Sequence, residues 1–496
     1  MEDAVDILNS LQTPIHVIKE RLKPGSNYYE TANQELRKCL THIGYSVPSP
    51  SASVLTPRLQ TDIDKLNIVH VAGTKGKGST CAYVDSILSH YRQTHHIPKS
   101  IGLFTSPHLV AVRERIRINS APISAALFAK YFFEVLDALQ AGQAADPFET
   151  PVYFRFLTLM SYHVFLSEGV DAAIYEVGLG GEYDSTNIID HPAVTGITHL
   201  GLDHTQILGK TIDRIAWNKA GILKPGVPAF TVRQEPEAME VIEQRAQEKR
   251  VPSLAVVGLD SRLEGVKIRP DAEFQKSNAS LAIALADTLL KKLDPDYGSS
   301  SIDALPKEFV DGLEQAVWRG RCETKKDGNI TWYIDGAHTM ESIKIATEWF
   351  INESSQRPAK RVLIFNQQGQ REALELLEHL FGTIKKEGLV HFDHVVFCTN
   401  EARESKGANK DLVNNIYDST TIASLELQKS FASKWQALDP ASSAQIHVLP
   451  TVEDALDQVR ELQSEMGEKV ETDVFITGSI HLIGRALSIL EGVDAL

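Results

Sequence analysis

His70-Val71-Ala72-Gly73-Thr74-Lys75-Gly76-Lys77-Gly78-Ser79-Thr80 is the stretch that decides how this chain folds. It closes an apolar run, Leu66 to Val71, that reads as a buried strand. It precedes Cys81-Ala82-Tyr83-Val84-Asp85-Ser86-Ile87-Leu88, whose apolar residues recur at helical spacing. Strand, glycine-rich turn and helix form the setting of a phosphate-binding loop. The glycines let backbone amides approach an anion, and the helix N-terminus adds a partial positive charge. Lys77 is placed to reach outer phosphates, and Ser79 or Thr80 to cap the helix or touch a metal. An ordinary strand-to-helix turn is the alternative, but Gly73 to Thr80 contains only glycine, lysine and hydroxyl residues. The loop departs twice from G-x-x-x-x-G-K-[ST]: Gly78 follows the lysine, and Val71 stands where the first glycine belongs.

Working outward, 496 residues exceed one ordinary core and imply two or three domains. A hydrophobic share of 43% with 23% charged residues is that of a soluble globular protein. A net charge of −15 argues against a general nucleic-acid or anionic-membrane binder, while leaving room for a local basic site. Cys39, Cys81, Cys322 and Cys398 are scattered without metal-ligand spacing and read as free thiols in a reducing compartment. The longest apolar stretch, Val152 to Leu166, includes Arg155, Ser161 and His163, so it reads as a buried helix rather than a membrane span. Glu2, Asp3 and Asp6 are wrong for a secretory signal. The expected location is the cytoplasm; a longer mitochondrial form would not be visible in this sequence.

From Leu66 onward, strands alternate with helices. Expected strands are Ile68 to Ala72, Ile101 to Phe104, Ala172 to Val177, Ala193 to Leu200 and Pro228 to Val232. Expected helices include Ser79 to Tyr91, Ser124 to Ala138, Val152 to Leu166 and Ile212 to Leu223. That alternation predicts a largely parallel sheet covered on both faces. Val5 to Leu22 has helical periodicity broken at Pro14, and Ser46 to Pro57 reads as a loop. Composition turns polar near Asp294 to Ser301, and a second α/β series follows, with strands at Ile330 to Ile334, Arg361 to Phe365, Val395 to Cys398, Ile446 to Leu449 and Val474 to Ile476. The expected architecture is α/β: a P-loop domain over residues 1–317 and a smaller Rossmann-like domain over 318–496. Asn400 to Asp411 reads as a solvated loop.

Polar clusters fall at the carboxyl ends of the expected strands, the edge where open α/β sheets bind ligands. Ser106, in Thr105-Ser106-Pro107-His108, is a ligand or a turn cap. Glu176 ends an apolar strand, where it either faces a cation such as Mg²⁺ or forms a structural ion pair. His204, in Gly201-Leu202-Asp203-His204-Thr205, binds metal or satisfies a buried backbone group. Lys219, in Asn218-Lys219-Ala220-Gly221-Ile222, reads locally as a solvated lysine. Arg321, and Asp335 in Asp335-Gly336-Ala337-His338, either grip a nucleotide or form an ion pair and a turn. Arg113, Arg115 and Arg117 alternate and would lie on one face of a strand, as a solvated row or an anion-steering patch.

The ordered set Gly-Thr-Lys-Gly-Lys-Gly-Ser, Thr-Ser-Pro-His, Glu-Val-Gly-Leu-Gly-Gly, Leu-Asp-His, Asn-Lys-Ala-Gly-Ile and Asp-Gly-Ala-His resembles the folylpolyglutamate synthases, Mur-ligase-like ATP-dependent amide ligases. The likeness runs from Ala4-Val5-Asp6-Ile7-Leu8 to Thr477-Gly478-Ser479-Ile480-His481. Val112 to Asn119 and Glu182-Tyr183-Asp184-Ser185-Thr186-Asn187 look like the eukaryotic form. Asn366-Gln367-Gln368-Gly369-Gln370-Arg371 is a looser match, with Glu372 in place of an aspartate.

The resemblance implies ATP-dependent addition of L-glutamate to the γ-carboxylate of tetrahydrofolate and its polyglutamates, through an acyl phosphate. It implies that Gly73, Thr74, Lys75, Gly76, Lys77, Gly78 and Ser79 cradle phosphate, that Ser106, Glu176 and His204 hold Mg²⁺, and that Arg321 and Asp335 contact ATP. Lys219 matches a lysine that is carbamylated in bacterial relatives. Lys77, Lys219 and His338 are then the catalytic candidates, with glutamate expected near His338. A monovalent cation is a further expected ion. A monomer with no nucleic-acid partner and no integral membrane association is implied. The nearest alternative is dihydrofolate synthase, whose relatives often carry Asn where Lys75 stands and Arg-Leu in place of Glu182-Tyr183. A P-loop ATPase without ligase chemistry is a third reading.

Overall fold

Two compact units make up the computed structural model: Met1–His108 with Arg113–Val317, and Leu109–Val112 with Trp318–Leu496. It describes all residues except 14–27, 47–60, 147, 299–303, 356, 369, 389–390, 402, 404–410, 412–422, 441–442 and 468–469. Most of the expected loops Ser46 to Pro57 and Asn400 to Asp411, and the expected break at Pro14, therefore lie outside the described residues.

The first unit is built on eight strands: β1 Val69–Ala72, β2 Ile101–Phe104, β3 Ile116–Ile118, β4 Ala121–Pro122, β5 Ala172–Glu176, β6 Val194–Ile197, β7 Ala229–Val232 and β8 Leu254–Val257. Their order is β4-β3-β2-β5-β1-β6-β7-β8. Only β3 runs against the others, pairing antiparallel with both β2 and β4. β1 pairs with β5 on one side (Val71 with Glu176) and β6 on the other (Val71 with Gly196), so the strand order reverses at β1. An α/β sheet opens its ligand crevice at the carboxyl ends of such strands. Every residue of β1, β2, β5 and β6 is buried, which is why they read as continuous apolar runs. A core of Ala72, Ile197, Ala216, Ile222, Ala238 and Ile242 joins the sheet to helices Ile212–Lys219 and Pro236–Glu248. The helix Tyr153–Ser167 is buried along most of its length, as expected of a core helix. Among the described residues no helix is long and apolar enough to cross a membrane.

Three details differ from the sequence reading. Leu66 ends a 3₁₀ turn, Ile63–Leu66, and Asn67 takes a left-handed conformation, so the strand begins only at Val69. The helix after the glycine loop starts at Lys77 rather than Ser79, which puts the lysine in its first turn. Arg113 and Arg115 lie on a 3₁₀ turn, Val112–Arg115, and only Arg117 on β3, so the three arginines do not form one strand face. Arg115 donates from Nε to His108 Nδ1 at 3.0 Å, and Arg117 from Nη1 to the Ser120 carbonyl at 3.2 Å. Local hydrogen bonding has overridden the alternation.

The second unit has six strands: β9 Glu323–Asp327, β10 Ile330–Ile334, β11 Lys360–Phe365, β12 His394–Cys398, β13 Gln445–Leu449 and β14 Thr472–Thr477. They are ordered β13-β12-β11-β14-β10-β9, all parallel but β9. Alternation along each strand divides two cores. Tyr333, Leu363, Phe365, Val395, Phe397 and Phe475 face helices Met340–Ser354, Gln370–Glu387 and Glu426–Leu438. Trp332, Ile334, Val362, Ile364, Val474 and Ile476 face Val452–Met466 and Ile480–Glu491. Both units are α/β, as the strand–helix alternation predicts.

Candidate active site

At the carboxyl end of β1 the chain turns through Gly73 and Gly76 into the helix Lys77–His95. Both glycines are required by their neighbours. A Cβ on Gly73 would lie 1.7 Å from Thr198 Oγ1, and one on Gly76 2.2 Å from Asn278 Oδ1; Gly76 also takes φ +88°. The amides of Thr74 and Lys75 both donate to the His199 carbonyl (3.0 and 3.1 Å), and Thr74 Oγ1 meets the Gly201 backbone at 3.1 Å. The loop is thus fastened to the end of β6, the neighbouring strand at the reversal of strand order.

Two lysines converge on one carbonyl of this loop. Lys77 Nζ donates to Gly73 O at 3.0 Å, and Lys219 Nζ to the same oxygen at 2.7 Å. Lys219 is therefore not the solvated lysine of its local reading: it is 4% exposed. Burial, reinforced by the charge of Lys77, pulls its ammonium pKa down from 10.5 to about 7. Lys75 reaches Asp203 at 3.5 Å. Asp203 is partly buried, yet His204 and Lys75 hold its carboxyl below the ordinary range. His204, half-exposed with φ +48°, stands 3.9 Å from Asp203. Its imidazole is pushed down by burial, and Lys219, Lys77 and Lys75 add to that effect. A corner rich in basic groups results, suited to approach by a polyphosphate.

Of the glycines in Gly178-Leu179-Gly180-Gly181, Gly178 packs on Phe154, Gly180 takes φ +76° beside Leu208, and Gly181 is explained by Lys219. A Cβ on Gly181 would lie 2.5 Å from Asn218 O and 2.9 Å from Lys219 Cα, so the loop passes directly over the lysine's backbone. Glu182 N donates to Asn218 O at 2.7 Å. The Glu182 carboxylate turns away to Arg245 (2.5 Å) and Lys249 (2.9 Å), fixing the helix Pro236–Glu248.

Glu176 is 5% exposed at the end of β5, and its Oε2 accepts from the Ser106 amide at 3.0 Å. A carboxylate at the end of β5 and a hydroxyl residue just past the end of the neighbouring β2 supply the hard oxygens that Mg²⁺ prefers, so this pair fits the expected ion. His204, the third expected ligand, stands 3.9 Å from Asp203 at the lysine corner. Among the described residues no three His, Cys, Asp or Glu side chains are grouped to hold a metal.

In the second unit Asp335 is buried after β10, with Oδ2 accepting from Cys322 N (2.7 Å) and Oδ1 from Ala337 N (2.8 Å). Burial pushes its carboxyl up, and Arg321 offsets part of the rise. Arg321 and Asp335 are thus brought together, in a turn that Asp335 itself stabilises. His338 is exposed, with Nδ1 against Gly336 O at 2.8 Å. Beyond the sequence candidates, Asn366, Asn400, Gln428 and Ser479 form an amide chain at the ends of β11, β12 and β14: Gln428 Nε2 to Asn366 Oδ1 (3.0 Å), Asn366 Nδ2 to Asn400 Oδ1 (2.9 Å), Asn400 Nδ2 to Ser479 Oγ (3.3 Å). Asn278, buried against Gly76, also escaped the reading; its only local signal is Gln275 three residues earlier, to which its amide donates at 3.0 Å.

Comparison with known proteins agrees with this fold. A family model described as the dihydrofolate synthetase C-terminal domain matches residues 319–489. The folylpolyglutamate synthase of Neurospora crassa is 53% identical, covering 100% of this chain and 92% of the relative. That of Candida albicans is 43% identical, covering 99% and 96%. The solved Mycobacterium tuberculosis folylpolyglutamate synthase complexed with ADP shares the fold, with a TM-score of 0.68 at 23% identity, over 100% of this chain and 99% of that one. The family model spans only the second unit, whereas the two fungal relatives match from end to end, and on that evidence the chain belongs to the folylpolyglutamate synthase family.

Proposed function

We propose that this chain uses ATP to add L-glutamate to the γ-carboxylate of tetrahydrofolate and its polyglutamates, retaining folates for one-carbon metabolism. The observation that carries the reading is the convergence of Lys77 and Lys219 on Gly73 O at the reversal of strand order, in a chain 53% identical to a folylpolyglutamate synthase. A carboxylate is a poor electrophile. Its oxygen attacks the γ-phosphorus of ATP, ADP leaves, and the acyl phosphate now has a leaving group. The glutamate amine then attacks the carbonyl, forming the amide and releasing phosphate. Two anions must meet in the first step, and Lys77 and Lys75 offset their repulsion. The Gly73–Ser79 loop holds the phosphates. Glu176, Ser106 and His204 would hold Mg²⁺, which when bound would screen phosphate charge. Arg321 and Asp335 serve ATP, and His338 the incoming glutamate.

A lysine with a pKa of about 7 keeps a large share of free amine near neutrality, and only the free amine adds CO₂. That supports the carbamate reading of Lys219. The experiment is incorporation of radiolabelled glutamate with ATP, using tetrahydrofolate in one arm and dihydropteroate in the other. Extension of tetrahydrofolate alone is expected. Use of dihydropteroate alone would replace the reading with dihydrofolate synthase, and ATP hydrolysis without incorporation would replace it with an ATPase.

A further inference from the structure

We propose that His70, Thr186 and Asp184 form a hydrogen-bonded positioning chain that ties the strand carrying the phosphate loop to the glycine loop seating Lys219. The inference rests on the reading of Lys219 as part of the phosphate site.

His70 lies on β1, three residues before Gly73, and is fully buried. Its Nε2 is 2.9 Å from Thr186 Oγ1, and Thr186 Oγ1 is 2.6 Å from Asp184 Oδ1. Thr186 is also fully buried, and Asp184 is 6% exposed. Asp184 Oδ1 further accepts from Thr186 N, and Oδ2 from Leu179 N, both at 2.9 Å. The direction of the chain follows from its donors. A hydroxyl has one proton; given to the carboxylate, it leaves the oxygen as acceptor, so His70 must carry its proton on Nε2. The bare nitrogen is then Nδ1, which is buried without a hydrogen-bond partner. An unprotonated nitrogen is the tolerable orphan in that position, and burial keeps the ring neutral by drawing its pKa down to about 3.

Asp184 passes the constraint onward. Through Leu179 N it fixes the loop whose Gly181 packs on Lys219 Cα, and Glu182 N bonds the carbonyl preceding Lys219. Asn187, next to Thr186, bridges Glu182 O (3.0 Å) and Gly221 O (3.2 Å). Lys219 then closes the circuit on Gly73 O, at the end of the strand that carries His70. The ring runs from β1 through His70, Thr186, Asp184, the glycine loop and Lys219 back to β1. A circuit of this kind sets where Lys219 Nζ sits relative to the phosphates, and a misplacement of about 1 Å costs roughly 100-fold in rate.

Thr186→Val keeps the side-chain shape and removes the hydroxyl; Thr186→Ser keeps the hydroxyl. In the full-length protein, kcat per folded molecule at saturating substrates is expected to fall roughly 10- to 100-fold in Thr186→Val, with little change in folate KM, and to stay within about threefold in Thr186→Ser. A parental kcat per folded molecule in Thr186→Val, or equal impairment of both variants, overturns the proposal. Should Thr186→Val not fold, His70→Gln and His70→Leu carry the same test. The glutamine amide can donate to Thr186 Oγ1 and should retain activity that leucine loses; equal losses in both overturn the chain. ATP affinity measured by equilibrium titration supplies a double-mutant cycle with Lys219→Met. Thr186→Val should weaken binding in the parent and have less than about a twofold effect in the Lys219→Met background. Equal weakening in both backgrounds overturns action through Lys219. Parental turnover in Lys219→Met alone defeats the underlying site reading instead, so the two failures are distinguishable.

Discussion

Replacing Lys219 with methionine should make the ligand-free protein more stable below neutrality while removing most of its ligase activity. The folded state holds this ammonium at a pKa of about 7 against an ordinary 10.5. At roughly 1.4 kcal/mol per pH unit, keeping it charged in the native state costs about 5 kcal/mol. The side chain is 4% exposed, so solvent screening removes little of that figure. Methionine forfeits the bond to Gly73 O, worth roughly 1.5–3 kcal/mol for a charged donor, although Lys77 still reaches that oxygen at 3.0 Å. The net gain at pH 6 is about 2–3.5 kcal/mol, or several degrees of melting temperature.

The sign is tested by pH. Because the native pKa is depressed, the native state binds fewer protons than the unfolded chain between pH 7 and 10.5. The parent therefore becomes more stable as pH rises through that window, and the full penalty applies only below it. The melting-temperature advantage of Lys219→Met should be greatest near pH 6 and shrink steadily toward pH 10. Calorimetry on both proteins across this range checks it. A variant less stable than the parent at pH 6, or a gap independent of pH, would refute the claim that the lysine is held in place at the expense of its own solvation.

Lys77→Ala should fold normally and lose on the order of 100-fold or more in turnover, since its charge acts mainly on the transition state; near-normal steady-state rates would remove the phosphate-loop assignment. Glu176→Gln should raise the magnesium concentration needed for half-maximal activity more than His204→Ala does, because only Glu176 is bonded to Ser106; overlaid magnesium titrations of Glu176→Gln and the parent would make the carboxylate structural. Arg113→Glu should raise the folate KM more at low salt than at high, with a smaller change for ATP, whereas a salt-independent loss would show that reversal has damaged the turn. A carbamate on Lys219 should give a carbonyl resonance in ¹³C-bicarbonate NMR that disappears in Lys219→Met; identical spectra would leave the lysine a free amine.

Which parts of the fold were legible follows from how each element is stabilised. β1, β5, β6, β10 and β14 are buried on both faces and stand out as apolar runs. β9, Glu-Thr-Lys-Lys-Asp, carries no such signal. It exists because β10 offers it an antiparallel edge, Trp332 opposite Lys325. β8 is a partly exposed edge strand, and β4 is only two residues long. The arginine row failed for a related reason: alternation predicts a face only if the segment is extended, and Val112–Arg115 is a 3₁₀ turn.

The site was legible wherever a residue's role is fixed by the strand it ends, and illegible wherever it depends on a distant partner. Glu176, and the loop through Gly73 and Gly76, follow directly from a strand and a turn. Lys219 does not: eight residues of polar helix, Ile212–Lys219, give no hint that its last side chain is buried 2.7 Å from a carbonyl 146 positions earlier. What places it there is the glycine loop above it, whose Gly181 makes sense only once the lysine's backbone is known to pass beneath. Gly181 and Lys219 thus explain each other, as do Gly73 with Thr198 and Gly76 with Asn278. Each pair is invisible from either member alone. The chemistry of the site lies in those pairings, because a depressed lysine pKa and a close-packed phosphate loop are properties of a contact rather than of a residue.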